Sequence, residues 1–270
     1  MHPARSCHQC ARHLQDMAPN FGASLGKNLT ARKTRSEVLF QVTSAKRLSK
    51  ALKAVNPVVP PRHMQRQTWE TERYSVVRLL KSLPRYRLPF PISLVHGDKP
   101  DFVLTVDGDT VAIEAVEAVS QVEAHQSDVI GGLVASGAMP SPIQAVVLRS
   151  PTDPVMTKAQ AAVLVTDGHF YAGNQVEQNW IEAMKYFIGG KLVKFPTYEE
   201  SETNWLMVYD NWPSIMLKLE EASQNLQDWL ISQNAYAVLD AVYIIHEKKI
   251  VEFGKDGFIV RPLRTPREKS

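Results

Sequence analysis

Apolar residues recur at helical spacing over 36–55, where Val38, Leu39, Val42, Ala45, Leu48, Leu52 and Val55 share one stripe. Lys46, Arg47, Lys50 and Lys53 fill the other face. The segment reads as a basic amphipathic helix, fit to lie on a phosphate backbone or simply to face solvent. Pro57, Pro60 and Pro61 then break the chain and mark a linker. A second helix is predicted over 65–83, with Trp69, Val76, Leu79, Leu80 and Leu83 inward. Glu72 falls on or beside that stripe, where a carboxylate needs a partner. Arg73 or Arg78 of the same helix would serve, as would a functional cation or lysine.

A Pro-rich connection over 84–91 leads to a hairpin, with a strand over 101–106, a tight turn at Asp107-Gly108-Asp109 and a β-branched return strand over 110–116. Alternation puts Ala112, Glu114 and Val116 on one face of the return strand and Val111, Ile113 and Ala115 on the other. Both faces are otherwise apolar, as in a strand covered on both sides. Further along, 143–148 reads as a strand, 151–154 as a loop, and 159–166 as either strand or helix. A helix over 176–188 turns Val176, Trp180, Met184 and Phe187 inward and is expected to stop at Gly189-Gly190. A strand over 205–210, a helix over 214–231 and a hairpin of 237–245 with 250–253 complete the pattern, which describes an α/β sandwich without internal repeats.

Length and composition add a division of charge. The 270 residues, 44% of them hydrophobic, suffice for one core with a small appendage. Residues 1–66 hold 12 Lys and Arg against 2 Asp and Glu, whereas the remainder holds 19 against 26. A basic arm on an acidic body points to an anionic partner or to a solubilising, disordered arm. The expected organisation is a basic N-terminal extension over 1–63, an α/β domain over 64–262 and a tail over 263–270, with Met17 or Met64 as alternative starts. Cys7 and Cys10 form one CxxC beside His2, His8 and His13; these are zinc-ligand types, but no second CxxC completes a set. No disulfide framework, signal peptide or membrane-spanning run is present, which points to a cytoplasmic protein without a membrane partner.

The chemistry concentrates in Lys99-Pro100-Asp101, the turn, and Ile113-Glu114-Ala115-Val116-Glu117. A tight hairpin brings Asp101 and Glu114 opposite each other. Two such carboxylates repel and raise each other's pKa unless a cation lies between them. Mg²⁺ or Mn²⁺, hard ions that favour oxygen ligands, fit that need. An ordinary ion pair with a distant lysine or arginine is the other way to satisfy Glu114.

This arrangement resembles the PD-(D/E)xK, restriction-endonuclease-like nuclease superfamily. The resemblance spans roughly 65–253, although only 99–117 is specific. It implies a mixed central sheet flanked by helices and hydrolysis of phosphodiester bonds in nucleic acid, with DNA the expected substrate. It also implies Asp101 and Glu114 as metal ligands, with the carbonyl of Ala115 as a third. The family's lysine, two residues after the second acid, assists the attacking water; here that position is Val116. Some members carry the lysine on a neighbouring helix. Lys185 is the first candidate for that role, although the helical wheel turns it away from the apolar stripe; Lys191 and Lys194 are looser alternatives. Members commonly add a carboxylate from the preceding helix, which implies Glu72 as a third acid. Glu117 should face away from Glu114.

Val116 also supports an alternative, a catalytically inactive nuclease-like fold that binds nucleic acid or serves assembly. A third reading is an unrelated α/β protein with ordinary ion pairs at Asp101 and Glu114. No GxGxxG, Walker A loop or GxSxG elbow is present. His125, His169 and His246 are scattered, and Tyr171, Tyr186 and Trp212 are candidates for base stacking or for the core.

Overall fold

The two-residue turn at Asp107-Gly108 requires positive φ at both positions, and Asp107 (φ 52°) and Gly108 (φ 97°) supply it. It joins β3 (Phe102–Val106) to β4 (Asp109–Ala118) with Phe102 opposite Ile113 and Val106 opposite Asp109, the register the apolar alternation demands. This hairpin is part of a mixed α/β fold, seen in a computed structural model that describes residues 36–55, 59–60, 66–120, 124, 150–154, 157, 173–195, 201–214 and 216–263. All of these lie within one unit, Arg35–Ser270.

Among the described residues, eight strands follow one another across a single sheet in chain order. β1 (Glu37–Val42) and β2 (Ile92–His96) extend the hairpin as an antiparallel meander. β5 (Thr203–Asp210) and β6 (Ala241–His246) join β4 in parallel, and β7 (Lys249–Gly254) and β8 (Gly257–Pro262) close the far edge antiparallel. Parallel pairing needs crossovers. These contain α3 (Gln175–Leu192) and α4 (Leu219–Ser232), which cover one face of the sheet. α1 (Ala45–Ala54) and α2 (Thr68–Ser82) cover the other. Ile113 and Ala115 face α1 and α2, while Val116 and Ala118 face α3 and α4, as alternation requires.

Several sequence expectations are corrected. The stretch 36–55 is a strand followed by a helix, because Phe40 and Val42 pack on the core while Ser44 caps α1 by accepting from the Arg47 amide. It pairs with β2, so this part of the expected N-terminal extension belongs to the sheet. Trp69 is 43% exposed and lies under the Arg73 guanidinium, outside the core stripe. Gly189-Gly190 does not stop α3, which runs on to Leu192. Gly189 lies beside Trp229 of α4, and this helix–helix packing outweighs the roughly 1 kcal/mol that each glycine costs. The helix predicted from 214 begins at Leu219, and β2 and β8 were not predicted. The CxxC, His125, His169, Tyr171, the strand over 143–148 and the ambiguous 159–166 lie outside the described residues. No described helix is long and apolar enough to cross a membrane.

At the C-terminal ends of the parallel strands, Ala118, Asp210 and His246 stand in register. Asp210 is buried, its Oδ2 accepting from Trp180 Nε1 at 2.6 Å and facing His246 Nδ1 at 2.7 Å, and its Oδ1 accepting from the Trp212 amide at 2.9 Å. Burial opposes charge on His246, but the hydrogen bond and charge of Asp210 outweigh it and raise the imidazole's pKa. That contribution to stability is complete below the unfolded value near 6.5 and is lost as pH rises through the higher folded value. His246→Gln should therefore cost about 2 kcal/mol at pH about 5.5 and clearly less at pH about 8.5. Urea unfolding at both pH values checks this; an equal loss at each would mean the pair is not ionic.

A lysine and two carboxylates at the step in the sheet edge

β1, β2 and β3 end together at one side of the sheet, while β4 continues beside β5, leaving a step. Asp101 stands at this step, immediately before β3. The turn behind it is tight: the Gly97 amide donates to the Asp101 carbonyl at 2.9 Å, and a Cβ on Gly97 would lie 3.1 Å from the Pro100 oxygen. Continuing the hairpin register by one residue puts Asp101 opposite Glu114 on the face covered by α3. The Ala115 amide donates to Asp101 Oδ2 at 2.7 Å and fixes the orientation of that carboxylate.

Glu114 is 2% exposed, in the middle of a strand flanked by apolar neighbours. An isolated charge there would cost several kcal/mol. Lys191 answers it, its Nζ donating to Glu114 Oε2 at 2.7 Å and lying 3.9 Å from Asp101 Oδ2. The last turn of α3, beyond the two glycines, is what carries Lys191 to this position. Lys185 instead pairs with exposed Glu182 at 2.8 Å, more than a turn and a half of α3 before Lys191. Lys194 is exposed.

Glu72 reaches the same end of the sheet from α2. Its Oε2 lies 3.0 Å from His96 Nε2, so His96 is its partner, in place of the Arg73 or Arg78 expected from the helix. The His96 ring stacks on Phe102 with centroids 4.8 Å apart, and its Nδ1 lies 3.3 Å from Arg73 Nη2. Since guanidinium only donates, Nδ1 is the acceptor and Nε2 carries the proton toward Glu72. Arg73 also pairs with Glu37, and Arg78 with Tyr74. Glu117 does face away from Glu114, held by Arg66 and by Asn211 Nδ2 at 2.6 Å. Trp212 is buried with its indole on Asn179, and Tyr186 packs edge-on against Phe187.

Burial, the charge of Glu114 and the charge of Glu72 push the Asp101 carboxyl up to about 7, against the Ala115 amide and Lys191. Asp101 and Glu114 are oxygen donors of the kind a hard cation takes. Among the described residues, no group of three or more His, Cys, Asp or Glu side chains is arranged to hold a metal. A divalent ion would rest on these two carboxylates, with the Ala115 carbonyl as the candidate third ligand. In the sequence Lys191 is only a looser alternative to Lys185, and the role of His96 emerges from the structure alone. An apolar run over 92–96 ending in His before a glycine was the available signal.

Compared with known proteins, the chain matches no family model, no curated protein and no solved structure.

Lys191→Met should cost about 3 kcal/mol at pH about 8, because it leaves two buried carboxylates facing each other. The penalty should shrink toward pH about 5: a carboxyl with a raised folded pKa contributes stability fully below its unfolded value near 4, and that contribution fades as pH rises through about 7. Lys185→Ala should stay within about 0.5 kcal/mol of the wild type. Denaturant titrations of both variants, without divalent ions, check the pair; equal effects would contradict the placement of Lys191.

Proposed function

We propose that this chain is a divalent-metal-dependent nuclease of the restriction-endonuclease-like class, with Lys191 in the role of the family's lysine. The observation that carries this reading is one ammonium set against two carboxylates from the two strands of a hairpin, 2.7 Å from Glu114 and 3.9 Å from Asp101. In such a site Asp101 and Glu114 hold Mg²⁺ or Mn²⁺, aided by the Ala115 carbonyl. The bound ion would polarise the scissile phosphate and lower the pKa of its water. The Ala115 amide keeps the Asp101 carboxylate in its ligating orientation. The Lys191 ammonium stabilises negative charge as it builds on the phosphate oxygens. Glu72, aimed by His96, adds negative charge that draws cations to the step. The substrate is a phosphodiester in nucleic acid, with DNA the expected form.

A second reading has an observation of its own. Lys191 already neutralises Glu114, as a silent fold that only binds nucleic acid would require. The two readings separate on metal dependence. With Mg²⁺ or Mn²⁺, the nuclease reading expects single- or double-stranded DNA to be cut. Asp101→Asn, Glu114→Gln and Lys191→Met should each lower the rate by about 100-fold or more while circular dichroism stays unchanged. Cleavage that survives any one of these changes, or that ignores chelation of the metal, counts against it.

A further inference from the structure

Charge is segregated along the chain as well as between its ends. No Asp or Glu occurs from 43 to 56 or from 74 to 97, while Lys46, Arg47, Lys50, Lys53, Arg78, Lys81, Arg85 and Arg87 do. The fold brings these two acid-free segments together. α1 and the C-terminal end of α2 flank a cavity of about 290 Å³ whose walls include Leu48, Leu52, Leu80, Leu83 and Phe90. Lys53, Lys81 and Arg85 stand among its lining residues, and no acid does. Burial, then the charges of Arg78 and Lys53, lower the pKa of Lys81. Cations held together without an acid are suited to an anion from outside.

We propose that the groove between α1 and α2 binds single-stranded nucleic acid, with Lys46, Lys50, Lys53, Lys81 and Arg85 on successive phosphates and Tyr86 against a base. This deepens the nuclease reading and rests on it for the class of ligand. Lys46, Lys50 and Lys53 lie at i, i+4 and i+7, on one exposed face of α1. At 1.5 Å per residue they span about 10 Å, more than one anionic head group needs and suited to a repeating polyanion. Tyr86 is 79% exposed next to Arg85, an aromatic platform beside a basic track of the kind that holds unpaired bases, while Arg87 on its other side is taken up by Glu252. The apolar part of the cavity, lined by Leu48, Leu52, Leu80, Leu83 and Phe90, suits the face of an unpaired base, which a duplex does not offer. A lipid surface fits less well, because the apolar face of α1 is already spent on Leu48 and Leu52 in the core. The groove lies on the sheet face opposite Asp101 and Glu114, and along α2 its Lys81 stands about 14 Å from Glu72, which reaches the end of the sheet where they meet.

Fluorescence anisotropy of a labelled oligothymidylate with the full chain, in EDTA, tests this without needing cleavage. The double variant Lys50→Glu, Lys53→Glu should weaken binding at least about tenfold and flatten its salt dependence by about 1.5 in log–log slope. Tyr86→Ala should weaken binding about fivefold or more. The matching dT·dA duplex should bind more weakly than the single strand. Binding unchanged in both variants, a duplex bound as tightly, or loss of anionic-vesicle binding in place of oligonucleotide binding would overturn the proposal. The two readings fail separately. A chain that holds the strand through these residues yet never cuts with Mg²⁺ loses only the nuclease reading. A chain that cuts while ignoring Lys50, Lys53 and Tyr86 loses only the groove.

Discussion

Glu114 sets the terms for this fold. A carboxylate 2% exposed in a strand with helices on both sides cannot remain charged without a cation in contact. The structure meets that demand by bringing together groups far apart in sequence. The β3–β4 register delivers Asp101 to the same face, and the Gly97 turn and the Ala115 amide hold it there. The final turn of α3 then delivers Lys191. Each of these is a rigid, hydrogen-bonded element, so the carboxylates face each other by construction. Burial first, and then the charge of Glu114, raise the pKa of Asp101.

Around that contact the charges are sorted. Glu72 and Glu70 sit in the first half of α2, while Arg78 and Lys81 sit in the second. This order complements the helix dipole and also gives α2 an anionic end at the step and a cationic end at the α1 groove. On the far side of the sheet, Asp210 ties the ends of β5 and β6 to α3 through His246 and Trp180. Glu252 on β7 is clasped by Arg87 and Arg261. These buried acids each have short-range partners within the fold. Asp101 differs in being held by a backbone amide with its nearest cation 3.9 Å away, which makes it the carboxylate open to a further ligand.

The hairpin was legible in the sequence for a local reason. Period-two alternation, a β-branched return strand and Asp-Gly at the turn all act within twenty residues, and together they dictate which side chains share a face. The pairing of Asp101 with Glu114, the opposite orientation of Glu117 and the inward faces of α3 and α4 follow from the same short-range rules. Those rules also misled where packing overrode them. Helical spacing over 36–55 concealed a strand, because Phe40 and Val42 find partners on β2 that lie fifty residues away. Trp69 has an apolar side chain, yet it stacks under Arg73 at the surface.

By itself, then, the sequence determined the hairpin, its two acids and their common face, because backbone geometry alone links those residues. The choice of cation was left to the tertiary structure. Lys185, Lys191 and Lys194 differ by a few positions in or just after one helix, and only the tertiary structure, in which that helix runs past Gly189-Gly190 to Leu192 beside Trp229 of α4, shows that it is Lys191 that meets Glu114. The His96 clasp on Glu72 and the basic groove between α1 and α2 likewise join segments that no local pattern connects. Their geometry comes from long-range burial, which a linear reading of propensity does not contain.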